Sequence, residues 1–354
     1  MSVHVDRRRR KGFALLTTGA CLVAMVGALG LSVDISRLYI ARSEMQGYAD
    51  AAALSAALEL DGTAAGITRA QGALTASTNR WNMGTTAFGG TQTDFATDLG
   101  GPWSGNPNSP TGYRFVRVRA TATVPLYFIT AVALARTATV NGTAIAGQVP
   151  KTYFPEGVLP FSPFAHNSGQ PDFGFTPGER YTLRWGSNPM VGINVCPGDD
   201  APPWVAQARA GGADERGYIE ETSSAIIRAA IEQDYMTRPL EVGEAVFMTG
   251  GNKQTQRDSL RARVGQDTDP NSATYAEYEA NDTGNGRRLV VVPVNNAHHD
   301  NIVLGFGLFF LLLAEEYPQG GNQPFCAEFV GPYVQGSRHN GAGGAGAYSV
   351  RLVQ

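Results

Sequence analysis

Residues 12–61 read GFALLTTGACLVAMVGALGLSVDISRLYIARSEMQGYADAAALSAALELD. Two patterns follow one another in this stretch without a break. From Gly12 to Val33 there is no carboxylate, amine or guanidinium. That is about 22 residues, enough for one helix across roughly 30 Å of hydrocarbon. From Asp34 to Asp61 there is no Pro, and good helix formers (Ala, Leu, Glu, Arg, Met) dominate. Leu38, Met45 and Ala52 fall seven apart, and Ala41, Ala49, Ala53 and Ala56 occupy adjacent helical positions. Together they make a narrow face of small residues. Gly62 is the expected terminator. A single helix from about Phe13 to Leu60, roughly 70 Å long at 1.5 Å per residue, is therefore predicted. About half of it would stand clear of the bilayer.

The flanks orient it. Residues 1–11, MSVHVDRRRRK, carry Arg7 to Arg10 and Lys11 against one acid, Asp6. A basic cluster before a span keeps the N-terminus cytoplasmic and sends residues 35–354 across. The apolar run is longer than a signal-peptide core and lacks a sharp small-x-small site, so a retained anchor is expected in the cell membrane. The whole chain has 354 residues, with 28 basic and 31 acidic. Without the tail, 23 basic face 30 acidic residues, a body near −7. Nothing in that balance calls for nucleic acid. At 43% hydrophobic the chain can bury a core. Its 43 Gly and 20 Pro favour strands and tight turns over an all-helical bundle.

A stripe of small residues admits a close neighbour, either the protein's own sheet or a helix of a partner subunit. Asp34, with Arg37 three residues on, reads as a local ion pair or as a registry charge for that partner.

The order of basic tail, charge-free span and VDISRLYIARSEMQGYADAAALSA resembles the N-terminal region of the TadG-like proteins of the Flp (tight adherence, Tad) pilus machinery. The residues that carry the resemblance are Val33, Asp34, Arg37, Tyr39, Arg42, Gln46, Ala49, Asp50, Ala51, Ala52, Ala53, Leu54 and Ala56. The resemblance implies a membrane-anchored pilus-assembly component with a pilin-like helix packed on a small sheet. Related minor pilins place a Glu five residues after the Gly of their processing site. Here Gly12 is followed at that offset by Thr17, so a permanent anchor is expected.

Beyond the helix, residues 84–112 read as loop or short hairpin. Tyr113–Pro125 alternates as a half-buried strand. Leu126–Leu134 suggests a short helix, and Ala138–Ala146 a second strand. A boundary falls near Gln148–Thr152. Past it, strands are expected at Arg180–Trp185, Leu240–Met248, Arg288–Val294, Ile302–Ala314, Phe325–Val334 and Tyr348–Val353. Helices are expected at Gly217–Asp234 and Gln254–Val264. The fold class is α+β: a 1–11 basic tail, a 12–34 transmembrane helix, a 35–149 pilin-like module, and a 150–354 β-rich domain, for which a partly closed barrel is one candidate arrangement.

Chemistry is sparse. His298 and His299, with His166, Glu315 and Glu316, are the best metal candidates, but neighbouring strand residues point to opposite faces. Asp199–Asp200 and Asp267–Asp269 lack EF-hand spacing and read as solvated turns. No G-x-S-x-G, H-E-x-x-H or P-loop occurs. No cofactor, metal or enzymatic activity is expected. Cys196 and Cys326, outside the membrane, are candidates for a disulfide. The favoured function is a structural component of a Tad-type pilus or related envelope complex, with a homo-oligomer among the arrangements it admits. It would contact the bilayer and pair with other subunits through helix 34–61, using Asp34, Arg37, Tyr39, Arg42, Gln46, Asp50, Ala51, Ala52 and Ala53. Alternatives are an envelope adhesin and a metal-dependent hydrolase around His298 and His299.

Overall fold

The computed structural model describes residues 7–76, 80–81, 85–88, 90–109, 111–131, 135–188, 192–200, 215–220, 223–233, 238–250, 255–296, 300–320, 323–337, 339, 341 and 346–353. Helix α1 runs unbroken from Arg7 to Leu58. Its first half is bare: side chains from Phe13 to Leu29 are exposed. Burial begins at Gly30 and Asp34 and becomes continuous on one face with Ala41, Met45, Ala49, Ala52, Ala53, Ala56 and Ala57. Gly62, at φ 81°, ends the connection. Helix α2, Ala64–Ala76, then folds back against α1.

Eight strands form one sheet. They are β1 (Gly90–Ala96), β2 (Phe115–Pro125), β3 (Thr137–Pro150), β4 (Arg180–Arg184), β5 (Leu289–Asn295), β6 (Val303–Leu311), β7 (Phe325–Gln335) and β8 (Ala347–Leu352). The order is β5-β6-β7-β8-β3-β2-β1, with β4 also paired to β7. All pairings are antiparallel except β7 with β8. The sheet is open rather than barrel-like, since its end strands β1 and β5 lie at opposite ends of the order. The boundary expected at 149/150 falls at the end of β3, and β8 carries the sheet on into the C-terminal region. The chain is thus a mixed α and β protein with a long apolar N-terminal helix and a β-rich C-terminal region.

In β2, Val116, Val118, Ala120, Ala122 and Val124 face α1 and are buried. On the other face Arg117 and Arg119 reach Asp94 of β1, at 2.9 and 2.6 Å. Small residues on both sides let helix and sheet approach closely. A Cβ on Gly142 would lie 3.0 Å from the Met45 side chain and 3.1 Å from its carbonyl oxygen. In the C-terminal half both faces of the sheet are covered. Val290, Val292, Val294, Phe309 and Leu311 enter one core with helices α3 (Ser224–Gln233) and α4 (Gln256–Gly265). Val291, Phe306, Leu308 and Phe310 enter another with Tyr275 and Tyr278 of α5 (Tyr275–Asn281). Burial on both faces is why those strands read as unbroken apolar runs.

Four local expectations are corrected. The helix expected at Gly217–Asp234 is only α3. Residues Glu215–Ile219 form a strand paired with Met248–Gly250. Gly217 (φ 93°) and Glu220 (φ 60°) take left-handed backbone that a helix excludes. The strand expected at Leu240–Met248 is broken by a turn at Gly243 (φ 91°), leaving Leu240–Glu241 and Met248–Gly250. Residues 84–112 contain β1, whose Thr-rich sequence reads as loop until β2 pairs with it. Within Leu126–Leu134 only Ile129–Ala131 forms a turn of 3-10 helix, and residues 132–134 lie outside the described residues.

Candidate functional site

The motif that opens the chain divides along α1 into an inner and an outer side. Asp34 is fully buried. Burying a carboxylate is costly unless donors surround it. Here the backbone N–H groups of Tyr127, Phe128 and Ile129 donate to it, at 3.0, 2.8 and 2.7 Å. Those residues form the tip between β2 and β3. Asp34 therefore ties the tip of this hairpin to the helix. Neither the local ion pair nor the registry charge described this role. Arg37 lies over the Tyr127 ring, 4.3 Å from its centroid.

About three turns on from Asp34, Gln46 behaves like a strand edge. Its amide nitrogen donates to the Thr143 carbonyl at 2.8 Å, and its carbonyl accepts from the Thr143 N–H at 3.3 Å. The same nitrogen reaches Asp50 at 2.8 Å. Ala52 and Ala53 are buried against the protein's own sheet. Of the two neighbours the small-residue stripe admits, the sheet occupies it. Arg37 and Asp50 are half-buried, whereas Tyr39, Arg42 and Ala51 point outward. Tyr39 is 75% exposed. With Ile35, Ile40, Ser43 and Gly47, also exposed, they line an outer side of α1 that the described residues leave open.

The far end of α1 is closed by donors from other elements. A helix leaves its last carbonyls without intrahelical partners. Gln148 of β3 donates to the carbonyls of Ala57 and Leu60, and the Ser337 hydroxyl to that of Leu58 at 2.8 Å. At the turn into α2, Asp61 accepts from the Thr63 N–H, the Thr63 hydroxyl and Arg69. Burial pushes its pKa up, but these bonds and the Arg69 charge hold it below the ordinary carboxylate value. Glu59 at the end of the helix also faces Arg69, at 3.5 Å. His339 lies between Glu59 and Glu279 of α5, at 3.5 and 2.6 Å.

The other candidates are dispersed. His298 and His299 lie outside the described residues. His166 pairs with Asp199 at 2.8 Å, and Glu316 with Arg180. Asp267 and Asp269 are not solvated turn residues but buried acceptors. Asp267 receives the Tyr278 hydroxyl at 2.9 Å and the Arg288 N–H at 2.9 Å. Asp269 receives the Ser272 hydroxyl at 2.7 Å, which holds its carboxyl below the usual range against the opposing effect of burial. Among the described residues no group of three His, Cys, Asp or Glu is arranged to hold a metal ion. Cys196 and Cys326 are disulfide-bonded, which secures the segment after β4 to β7.

Residues 12–59 match the family of Flp pilus-assembly TadE/G-like proteins. The match covers α1 from Gly12 to its end, and less than half of the chain. No curated protein and no solved structure matches the chain.

Proposed function

We propose that this protein is a membrane-anchored structural component of a Flp/Tad-type pilus-assembly complex, working without catalysis. In this reading α1 crosses the cell membrane once, with the basic tail cytoplasmic and residues 35–354 on the far side. The observation that carries it is the continuity of α1. One helix passes from a bare, charge-free half into a half that forms the core of the folded body, within the segment that matches the TadE/G-like family. A helix of that length and composition suits a membrane span. The outer side of α1, with Tyr39, Arg42 and Ala51, is the surface offered to other subunits or to a second copy of the chain. Ala52 and Ala53 serve the inner packing instead.

Deletion of the gene is expected to abolish piliation, with the protein retained in the membrane fraction and missing from sheared filaments. External protease is expected to degrade the body and spare the N-terminal tail. Crosslinks from Ala51→Cys should capture a partner in membranes. Recovery of the protein along sheared filaments, or normal piliation without it, would overturn this reading.

A further inference from the structure

The tip between β2 and β3 is an unusual place for large apolar side chains. The strands pair to Pro125 and Thr137, and the Leu126 N–H donates to the Arg136 carbonyl at 2.9 Å. The chain then turns through Leu126-Tyr127-Phe128-Ile129-Thr130-Ala131. Tyr127 is 58% exposed and Phe128 46% exposed. Two large side chains at a hairpin tip thus leave about half of their surface in water, yet their backbone is fixed in place. Three consecutive N–H groups, of Tyr127, Phe128 and Ile129, are fixed on the buried carboxylate of Asp34. Such charge-assisted bonds are about twice as strong as neutral ones.

The position of the clamp matters. Asp34 is the first charged residue after the charge-free segment Gly12–Val33. The Phe128 ring packs one turn nearer the N-terminus, on Gly30. A Cβ at position 30 would fall 2.6 Å from that ring, so the close approach depends on the glycine. The tip therefore lies beside the last turn of the apolar segment, at the level where a span would meet lipid headgroups. A Tyr favours that level because it carries an apolar body and a polar tip, and a Phe beside it adds apolar area that can enter the acyl boundary. Arg37 stacks on Tyr127 and keeps a guanidinium at the same height, where it can meet lipid phosphate.

We propose that residues 126–131 are a second lipid-contacting element, seated in the interface of the same bilayer beside α1. Asp34 is the positioning residue that holds it there. This rests on the reading of α1 as a span. A single helix leaves the folded body free to rotate and tilt about one axis. A second contact at the side of that axis fixes both, and sets how the outer side of α1 is presented above the membrane.

The test uses full-length protein in lipid vesicles with an environment-sensitive fluorophore on one cysteine at a time. Nitroxide lipids carry the quencher near the headgroup or near the chain end. Native Cys21, the free thiol, reports on the span. Phe128→Cys and Tyr127→Cys, each in a Cys21→Ser background, report on the tip. Ser43→Cys in the same background reports on the helix beyond it. The expected result is deep quenching at Cys21, shallow quenching with a blue-shifted emission at 127 and 128, and neither at 43. Asp34→Ala should abolish the shallow quenching while leaving Cys21 unchanged, and Asp34→Asn should restore part of it. Deep quenching at Cys21 with a water-exposed tip would overturn the inference and leave the anchor intact. So would a tip shielded in native membranes but water-exposed in vesicles, the signature of a protein partner. Absence of quenching at Cys21 would overturn the anchor reading and this inference with it.

Discussion

The side-chain amide of Gln148 donates to the Leu60 carbonyl at 2.7 Å and to the Ala57 carbonyl at 3.0 Å. A buried strand residue thus completes the end of a helix far away in sequence. Replacing it by Leu removes both donors and leaves buried carbonyls unpaired, at about 1–3 kcal/mol each when unrelieved. Gln148→Leu should lower the thermal unfolding midpoint in detergent, read by near-ultraviolet circular dichroism. An unchanged midpoint would show that the amide contributes nothing.

Gly142 of β3 packs on Met45, on the inner side of α1. Gly142→Val would drive a side chain into the Met45 backbone and cost about 1–3 kcal/mol through overpacking. Ala51→Val lies on the exposed side and should stay within about 0.5 kcal/mol of the parent. Denaturant unfolding of both variants checks this. If the outer side binds partner subunits, Ala51→Val should still reduce piliation.

The stability contributed by Asp61 depends on acid pH in a definite direction. Its folded-state pKa lies below its ordinary value of 3.8. The unfolded state therefore binds the proton more readily. The contribution is fully present above the unfolded value and is lost as pH falls through the folded one. Unfolding measured at several pH values below about 5 should show a steeper loss in the parent than in Asp61→Asn. Equal slopes would mean that the Thr63 and Arg69 bonds do not favour the charged form.

The disulfide between Cys196 and Cys326 joins residues 130 apart in sequence. A crosslink of that span typically stabilises by about 2–5 kcal/mol. The double variant Cys196→Ser/Cys326→Ser should unfold earlier by that order, and reductant should have little further effect on it. Thiol counting on denatured, unreduced protein should find Cys21 alone. Reaction of all three thiols before reduction would contradict the bond.

Much of this architecture is legible in sequence because it is local. The alanine positions of α1 repeat at helical spacing. The runs 289–295 and 303–311 are apolar throughout because both faces of the sheet are covered. The role of Asp34 was not legible. Its donors lie at 127–129, and nothing in the spacing of a motif points that far along the chain. The one local sign is that 126–131 is too apolar for an exposed turn. Gln46 hid its function in the same way, since an amide on a helix gives no sign that it will pair with a strand. The strand at 90–96 is not legible because Thr, Gln and Gly there acquire strand character only from their neighbour. The Asp267 and Asp269 carboxylates look solvated until Ser272 of the same turn, Tyr278 of α5 and Arg288 just before β5 close over them.

The placement of β8 has a bearing on how the molecule is made. It fits between β3 and β7, pairing Tyr348 through Leu352 with Pro150 through Ala146. Synthesis runs from N- to C-terminus, so the edge of β3 is complete long before the strand that covers it exists. Until then the helix-backed sheet presents a row of unpaired N–H and C=O groups, the kind of edge that invites another chain. Closing it joins segments far apart in sequence and is slow for that reason. A nascent molecule therefore passes through a period in which that edge stands open, and it ends only when the last strand of the chain is in place.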